Sequence, residues 1–423
     1  MTHAAHRASF FRQSGWLMIA NIGCGVLMFA VHLLNRRLPP GEYGSFGVFL
    51  AVVMLLPTMP LQMVLAQQTA KALATGREAQ LAGVIRLVWI GTSVIWLIGA
   101  IAVLVFQGAI VARWKLGSPV GLWITMVILL LSLWLPMFWG ILQGQQNFLW
   151  LGWTMLSSGI GRIVVATFAV FVLRAYAAGM MGGVLIGIAA AVGLGAWQTR
   201  ALWLHRAQPF DWRDLLRQVI PLAFGFLGFQ ILFTADTILV GRFFPKPMVD
   251  CYVGAGTLSR ALMWLVLPLA AVMFPRIVHS AARSEKTNLM GLVLMGTGVL
   301  AVLSAAGLSL VGPWIIQIIF PAFVVTASRI LPWYVFAMVP LALANVILND
   351  LLARPASKLL PSCCVLGLAV AYLFALTQFH DSLVTVLKTM GMFNLILLTA
   401  CAAFRWLSPA AGPVPAARPG IPT

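Results

Sequence analysis

The chain has 423 residues, of which 61% are hydrophobic and only 9% are charged. A soluble domain carries about 25% charged residues, so this composition excludes a soluble protein and predicts one that lies in a membrane. The formal net charge is +18, but no stretch is polar enough to form a soluble basic domain, which argues against nucleic acid as a partner.

The N-terminal apolar stretch runs on to Leu34 and ends in Asn35, Arg36 and Arg37. A cleavable signal peptide is shorter and ends in small residues, so this stretch is predicted to be the first membrane span. The five cysteines show no spacing typical of a metal or redox site; they are Cys24, Cys251, Cys363, Cys364 and Cys401. We therefore expect no metal and no cofactor.

Twelve segments are apolar and long enough to cross the hydrocarbon core of a bilayer, which takes about 20 residues of helix. They lie near residues 14–35, 43–66, 84–106, 119–141, 148–173, 179–203, 217–243, 250–275, 288–312, 328–352, 358–380 and 382–406. The connections are short, so the predicted fold class is an all-α integral membrane protein with about twelve transmembrane helices and no extramembrane domain. The Pro-rich tail, 407–423, is predicted to be disordered.

Lysine and arginine predict the orientation of these spans. Sixteen of the 27 lie on the side of the N-terminus and eight on the opposite side, and the remaining three are Arg162, Arg260 and Arg329, within or at the edge of spans. Because cytoplasmic loops carry the excess of positive charge, both termini are predicted to be cytoplasmic.

The second half of the chain repeats the first. A shift of 206 residues lays NRRLPPGEYGSFGVF over GRFFPKPMVDCYVGA, so that Arg36 meets Arg242 and Pro39 meets Pro245. Six spans in each half predict two parallel six-helix lobes, residues 1–206 and 207–406, related by a pseudo-two-fold axis along the membrane normal. Their interface is the expected place of a cavity.

Two arginines lie deep in predicted spans, where an unpaired guanidinium costs at least ~3 kcal/mol on insertion scales. Arg162 shares a helical face with Thr154 and Ser158, and Arg260 shares one with Thr257. We predict that both arginines line the cavity, where their planar forks suit a phosphate group. A third candidate cation is Arg329.

The alternatives for these arginines are structural. Each could pair with a backbone carbonyl or with Asp236, and Arg329 could cap the outer end of its helix. Asp236 is the only carboxylate deep in an apolar run. A buried acid in a transporter can bind a coupling ion, and it can equally form an ion pair with an arginine.

The chain also resembles a known family. The block LLRQVIPLAFGFLGFQILFTADTILVGRFFPKPMVDCYVGAGTLSRALMWLVLPLAAVMFPRIVHSAARSEK, residues 215–286, is similar to the second-half signature of Wzx-type polysaccharide flippases. Its features are a Pro-initiated helix, an Asp before an apolar quartet, an aromatic after the loop and a Phe-Pro-Arg exit. RRLPPGEYGSFGVFLAV and GILQGQQNFLWLGWTMLSSGIGRIVVATFAVFVL resemble the first-half segments.

The resemblance covers essentially the whole chain and implies a function. Such flippases move an undecaprenyl-pyrophosphate-linked oligosaccharide from the cytoplasmic to the outer leaflet of the bacterial inner membrane, for assembly of cell-surface polysaccharide such as lipopolysaccharide. The expected partners are the lipid-linked glycan, membrane lipids, a glycan polymerase and other assembly proteins, and the chain is expected to be a monomer. Lipid II flippases of the same superfamily have two further helices, which this sequence does not contain.

Two other functions compete with this one. A cation-coupled multidrug exporter of the same superfamily needs acids in its cavity, whereas this chain offers one acid against two or three arginines. A membrane enzyme, such as a glycan polymerase, needs acidic or histidine catalysts in a sizeable outer loop. The outer loops hold only Glu42, Asp250 and Asp381, which look scattered and unpaired in sequence, so we predict that the chain is not an enzyme.

Overall fold

The computed structural model describes residues 3–114, 119–263, 289–353 and 359–407. These residues form helices and no strand. The helices are α1 His3–Ala30, α2 Glu42–Met54, α3 Met59–Thr75, α4 Glu78–Arg113, α5 Val120–Gly144, α6 Phe148–Phe171, α7 Tyr176–Trp203, α8 Trp212–Phe243, α9 over 246–263, α10 Leu289–Ile319, α11 Val324–Ala353, α12 Leu359–Gln378 and α13 Leu383–Leu407. Short 3₁₀ helices cover Val31–Arg37 and Pro321–Phe323.

Membrane-spanning helices account for nearly all of this structure. Within the described residues, ten helices are long and apolar enough to cross a membrane, and α2 with α3 makes an eleventh when the pair is counted as one span. The eighth predicted span, 250–275, begins in α9 and continues into residues outside the described part. The Phe-Pro-Arg segment lies entirely outside the described part. The tail after Leu407 also lies outside it.

The second predicted span is broken in the middle. Helices α2 and α3 meet at an angle of 40°, with residues 55–58 between them. Pro57 lies in the break and Pro60 in the first turn of α3. Proline lacks a backbone N–H and clashes with the preceding turn, so Pro57 ends one helix and Pro60 suits the start of the next.

Successive spans run in opposite directions, with α2 and α3 counted as one span, and side-chain contacts at both ends of the bundle show this. At one end, Arg37 lies over the ring of Phe171, and Phe243 stacks on His380 with ring centroids 4.1 Å apart. At the other end, Arg86 donates to the carbonyl of His205 at 2.8 Å. We call the end that holds residues 31–41, 172–175, 244–245 and 379–382 the outer end, because the charge count predicts that it faces away from the cytoplasm.

The two halves meet through α2 at the outer end. The backbone N–H of Gly44 donates to Oδ1 of Asp250 at 2.6 Å, and a Cβ on Gly47 would lie 2.3 Å from Cγ1 of Val253. Both pairs are 206 residues apart, which is the offset of the sequence repeat. Residues related by a two-fold axis contact each other only beside that axis. The pseudo-two-fold axis therefore passes between α2 and α9, whereas the lobe boundaries stay a prediction.

Candidate functional site

The second half of the chain holds a buried carboxylate with several donors around it. Asp236 of α8 has no exposed surface. It accepts a hydrogen bond from Tyr252 of α9 at 2.8 Å and a short one from Tyr334 of α11. Nη2 of Arg260 lies 2.9 Å from its Oδ1 and 3.0 Å from its Oδ2. Three helices thus converge on one carboxylate, whose charge is balanced by one guanidinium.

Arg260 is held firmly by this cluster. Its Nη2 also donates to the hydroxyl of Thr237 at 2.8 Å, and its Nε donates to the carbonyl of Phe233 at 3.1 Å. The guanidinium lies over the rings of Phe233 and Tyr334, about 5.5 Å from each centroid, which adds cation–π attraction. Of the two sequence interpretations of Arg260 and Asp236, the structure contains the ion pair.

Arg162 of α6 has a different environment. Only 8% of it is exposed, and its Nε is buried without a hydrogen-bond partner. Within the described residues, its side chain has no hydrogen bond and no ion pair. Its positive charge acts on Cys24 of α1 and on His32 of the first 3₁₀ helix. A buried charge without a partner is costly unless a ligand or water compensates it.

Tight packing between α6 and α7 fixes the position of Arg162. A Cβ on Gly183 would lie 2.5 Å from the carbonyl oxygen of Arg162, and one on Gly187 would lie 3.0 Å from its backbone nitrogen. Because these glycines carry no side chain, the two helices approach to backbone contact. The guanidinium therefore projects from a rigid seam, toward α1 and the first 3₁₀ helix.

The other predicted cavity residues differ in burial and in their contacts. Thr154 is buried and donates to the carbonyl of Leu151 at 2.7 Å. Ser158 is buried where its own carbonyl packs against Gly187. Arg329 is exposed near the start of α11, and within the described residues it has no ion-pair partner. Their role in a cavity stays a prediction.

Thr257 belongs to a hydrogen-bonded chain that crosses between the halves. Its hydroxyl donates to the carbonyl of Val253 at 2.8 Å, so the hydroxyl of Tyr43, 3.1 Å away, is the donor to Thr257. The oxygen of Tyr43 in turn lies 2.8 Å from Nδ1 of His32, which must then carry the proton. These hydrogen bonds link His32, which lies near Arg162, to α9 of the second half.

Sequence reasoning missed Tyr43, His32 and the acids of the outer end. Glu42 and Asp250, which look scattered and unpaired in sequence, both accept hydrogen bonds from backbone N–H groups. Glu42 accepts from the backbone N–H of Ala177 at 3.1 Å, and Asp250 accepts from two backbone N–H groups of α2. The 206-residue offset makes Asp250 and Gly44 equivalent residues, but only the structure shows that they touch. No cluster suited to a metal ion occurs within the described ranges.

Comparison with known proteins gives the family. The family model described as "Polysaccharide biosynthesis protein" matches residues 10–281, which is more than half of the chain. A search of curated proteins found no match.

Solved structures share the fold. The chain is similar to an inward-facing multidrug resistance MATE transporter of the MOP superfamily, with 14% identity, 90% of this chain and 93% of that chain covered, and a TM-score of 0.70. It is also similar to the lipid II flippase MurJ in an inward closed conformation, with 16% identity, coverage of 93% and 87%, and a TM-score of 0.68. An outward-facing MATE transporter gives a TM-score of 0.58, at 16% identity and 94% coverage of both chains.

The family and the fold point to the same class of protein. The spans make the chain a multi-pass membrane protein, and the solved structures that share its fold are transporters and a flippase rather than enzymes. The family model confirms the resemblance noted in the sequence at the level of a polysaccharide biosynthesis protein. The chain belongs to the polysaccharide biosynthesis protein family.

Proposed function

We propose that this protein moves an undecaprenyl-pyrophosphate-linked oligosaccharide from the cytoplasmic to the outer leaflet by alternating access, and that Arg162 binds the pyrophosphate. The observation that carries the proposal is the partnerless guanidinium of Arg162, which is 8% exposed. An anionic headgroup supplies the charge that the described residues around Arg162 lack. The planar guanidinium of Arg162 can bind two phosphate oxygens through two parallel hydrogen bonds from two nitrogens, a geometry that the single nitrogen of an ammonium group lacks.

The distribution of charge argues against the alternative of a cation-coupled multidrug exporter. A cationic drug needs an acid that is free to receive it. Asp236 is already bound by Arg260, Tyr252 and Tyr334. In this interpretation Arg260 keeps Asp236 occupied, and the charge of this ion pair adds little to the field at the substrate.

Reconstituted vesicles test this function. The purified protein is inserted into vesicles that contain a fluorescent pyrophosphate-linked polyprenyl oligosaccharide, and the labelled lipid that reaches the opposite leaflet is measured. We expect Arg162→Gln to reduce the initial rate at least about tenfold, and Arg162→Lys to retain part of it because only the fork is lost.

The matched control is Arg113→Gln. Arg113 is an exposed arginine at the end of α4, distant in sequence from Arg162 and from Arg260. It should transport like the parent. Equal rates in Arg162→Gln and Arg113→Gln would refute the assignment of Arg162. Transport of a cationic dye in place of the lipid would support the exporter.

The location and orientation are part of the same proposal. We infer an inner-membrane protein with both termini in the cytoplasm, working beside a glycan polymerase that uses the exported lipid. A reporter fused after Arg405 and one inserted near Lys71 should both report cytoplasm. A periplasmic result at either position would contradict the sixteen-to-eight charge count.

A further inference from the structure

A carboxylate from one half of the chain caps a helix of the other half at the outer end. Helix α2 begins at Glu42, and its N-cap residue Gly41 has no side chain that could accept from the first turn. Oδ2 of Asp250 accepts from the N–H of Gly41 at 2.5 Å, and Oδ1 accepts from the N–H of Gly44 at 2.6 Å. Asp250 lies in α9, so it supplies from the opposite half the acceptor that a helix normally finds within itself.

The burial of Asp250 makes this contact depend on closure. Only 4% of the residue is exposed. A buried carboxylate has lost its water and needs compensation, which here comes from two N–H donors and from the positive end of α2. If the halves separate at the outer end, the carboxylate and both N–H groups return to water. The contact therefore exists only while this end is closed.

Glycines let the two helices come close enough for this contact. A Cβ on Gly44 would lie 2.8 Å from Cγ1 of Val249 and 3.0 Å from Oδ1 of Asp250, and one on Gly47 would lie 2.3 Å from Cγ1 of Val253. Gly41 has φ +88°, which disfavours any other residue. We call this surface the outer seam: Gly41, Gly44 and Gly47 against Val249, Asp250 and Val253.

Position on the pseudo-two-fold axis explains why a single acid is present. Gly44 and Asp250 are equivalent residues of the two halves, 206 positions apart, and they face each other. Two carboxylates facing each other at this point would repel, and two glycines would leave the first turn of α2 uncapped. One acid opposite one glycine satisfies both requirements.

We propose that Asp250 is the latch of the outer seam: its two bonds to α2 stabilise the closed outer end and must break each time that end opens. The latch rests on the proposed function only in the expectation that transport requires such opening. It sets the equilibrium between the closed form and an outward-open form, because it stabilises one of them alone.

The test measures how often the outer seam opens, without substrate. Val253, which is 4% exposed in the outer seam, is changed by Val253→Cys in a chain whose five native cysteines are replaced by alanine. The protein is reconstituted in lipid nanodiscs, and the rate of modification by a membrane-impermeant thiol reagent is measured. Asp250→Asn keeps the shape but places an amide N–H₂ against the N–H groups of α2, so we expect the rate to rise at least about tenfold.

A second variant disturbs the same contact from the opposite half. Gly44→Ala places a methyl group 3.0 Å from Oδ1 of Asp250, so it should raise the rate in the same direction and keeps the test valid if Asp250→Asn does not fold. The control is Glu42→Gln, since Glu42 caps α7 through Ala177 within one half. It should leave the rate unchanged.

Each outcome bears on the latch alone. Faster modification in Asp250→Asn or Gly44→Ala, with Glu42→Gln at the parent rate, supports it. Parent rates in every folded variant overturn it, and an equal rise in Glu42→Gln overturns it too, because the effect would then be general loosening. No readout involves glycan transport, so the flippase could fail its own test while the latch stands, and the reverse.

Discussion

The two halves of this protein have the same arrangement of helices, but they differ in whether a buried arginine has a partner of opposite charge. In the second half, Arg260 is neutralised by Asp236. In the first half, Arg162 has no partner within the described residues. At the 206-residue offset, Leu368 is the equivalent of Arg162, and Met54 is the equivalent of Arg260. The two halves therefore share the fold and not the charges, since one holds an ion pair and the other a buried arginine without a partner in the described part of the chain.

The largest effect on stability should come from the paired side. Asp236→Ala leaves the Arg260 guanidinium buried without its counter-ion and removes the acceptor of Tyr252 and Tyr334. We expect the free energy of unfolding to fall by about 3–5 kcal/mol. Thermal unfolding of the purified protein in detergent measures this loss. A melting temperature equal to that of the parent would show that the ion pair contributes nothing.

Removing both charges should recover most of that loss. Replacing a buried ion pair by apolar residues of similar volume is often neutral, whereas removing one partner is not. The double variant Asp236→Leu with Arg260→Met should therefore lie within about 2 kcal/mol of the parent in the same unfolding measurement. If the double variant is as unstable as Asp236→Ala, the hydrogen bonds of the tyrosines, and not the charge pair, hold the cluster together.

The unpaired arginine should respond with the opposite sign. Arg162→Met removes a buried charge that has no partner in the described structure, so we expect the protein to unfold at equal or higher temperature, with a gain of about 1 kcal/mol. Transport should be lost in the same variant. Arg260→Met, which leaves Asp236 unpaired, is the comparison and should destabilise. Similar destabilisation by both changes would mean that Arg162 is a structural residue.

The sequence predicted the fold well because its signal is local. Apolar stretches of about 20 residues and short connections define spans without any knowledge of tertiary contacts. The break at residues 55–58 divided a single predicted span in two, and Pro57 is the residue that marks it. Orientation and the lobe boundaries follow from the charge count and the repeat, and stay predictions.

The candidate site was less predictable because its contacts are distant in sequence. Arg260 and Asp236 could be named from their depth, but their pairing depends on how α8 and α9 pack, and both outcomes stayed open. Asp250 looked like an isolated loop acid because the group it binds is the backbone of α2. A backbone N–H leaves no mark in composition. The repeat offset makes Gly44 and Asp250 equivalent, but it does not say that this pair lies beside the axis and is in contact.

The smallest expected effect is the loss of one tyrosine hydroxyl, compared between Tyr43, which joins the two halves, and Tyr252, which lies beside Asp236. Tyr43→Phe breaks the neutral hydrogen bonds with His32 and Thr257, and we expect a loss of about 1 kcal/mol. Tyr252→Phe removes a bond to a carboxylate, which is worth more, about 1.5–3 kcal/mol. Unfolding of the two variants in one detergent gives the order directly. The hydrogen bonds of Tyr43 join the two halves, whereas the bond of Tyr252 lies within the second half. Tyr43→Phe should therefore also speed thiol modification of Val253→Cys, and Tyr252→Phe should not. A larger stability loss for Tyr43→Phe, with no change in modification rate, would place the hydrogen bonds of Tyr43 inside the rigid core and not at the moving interface.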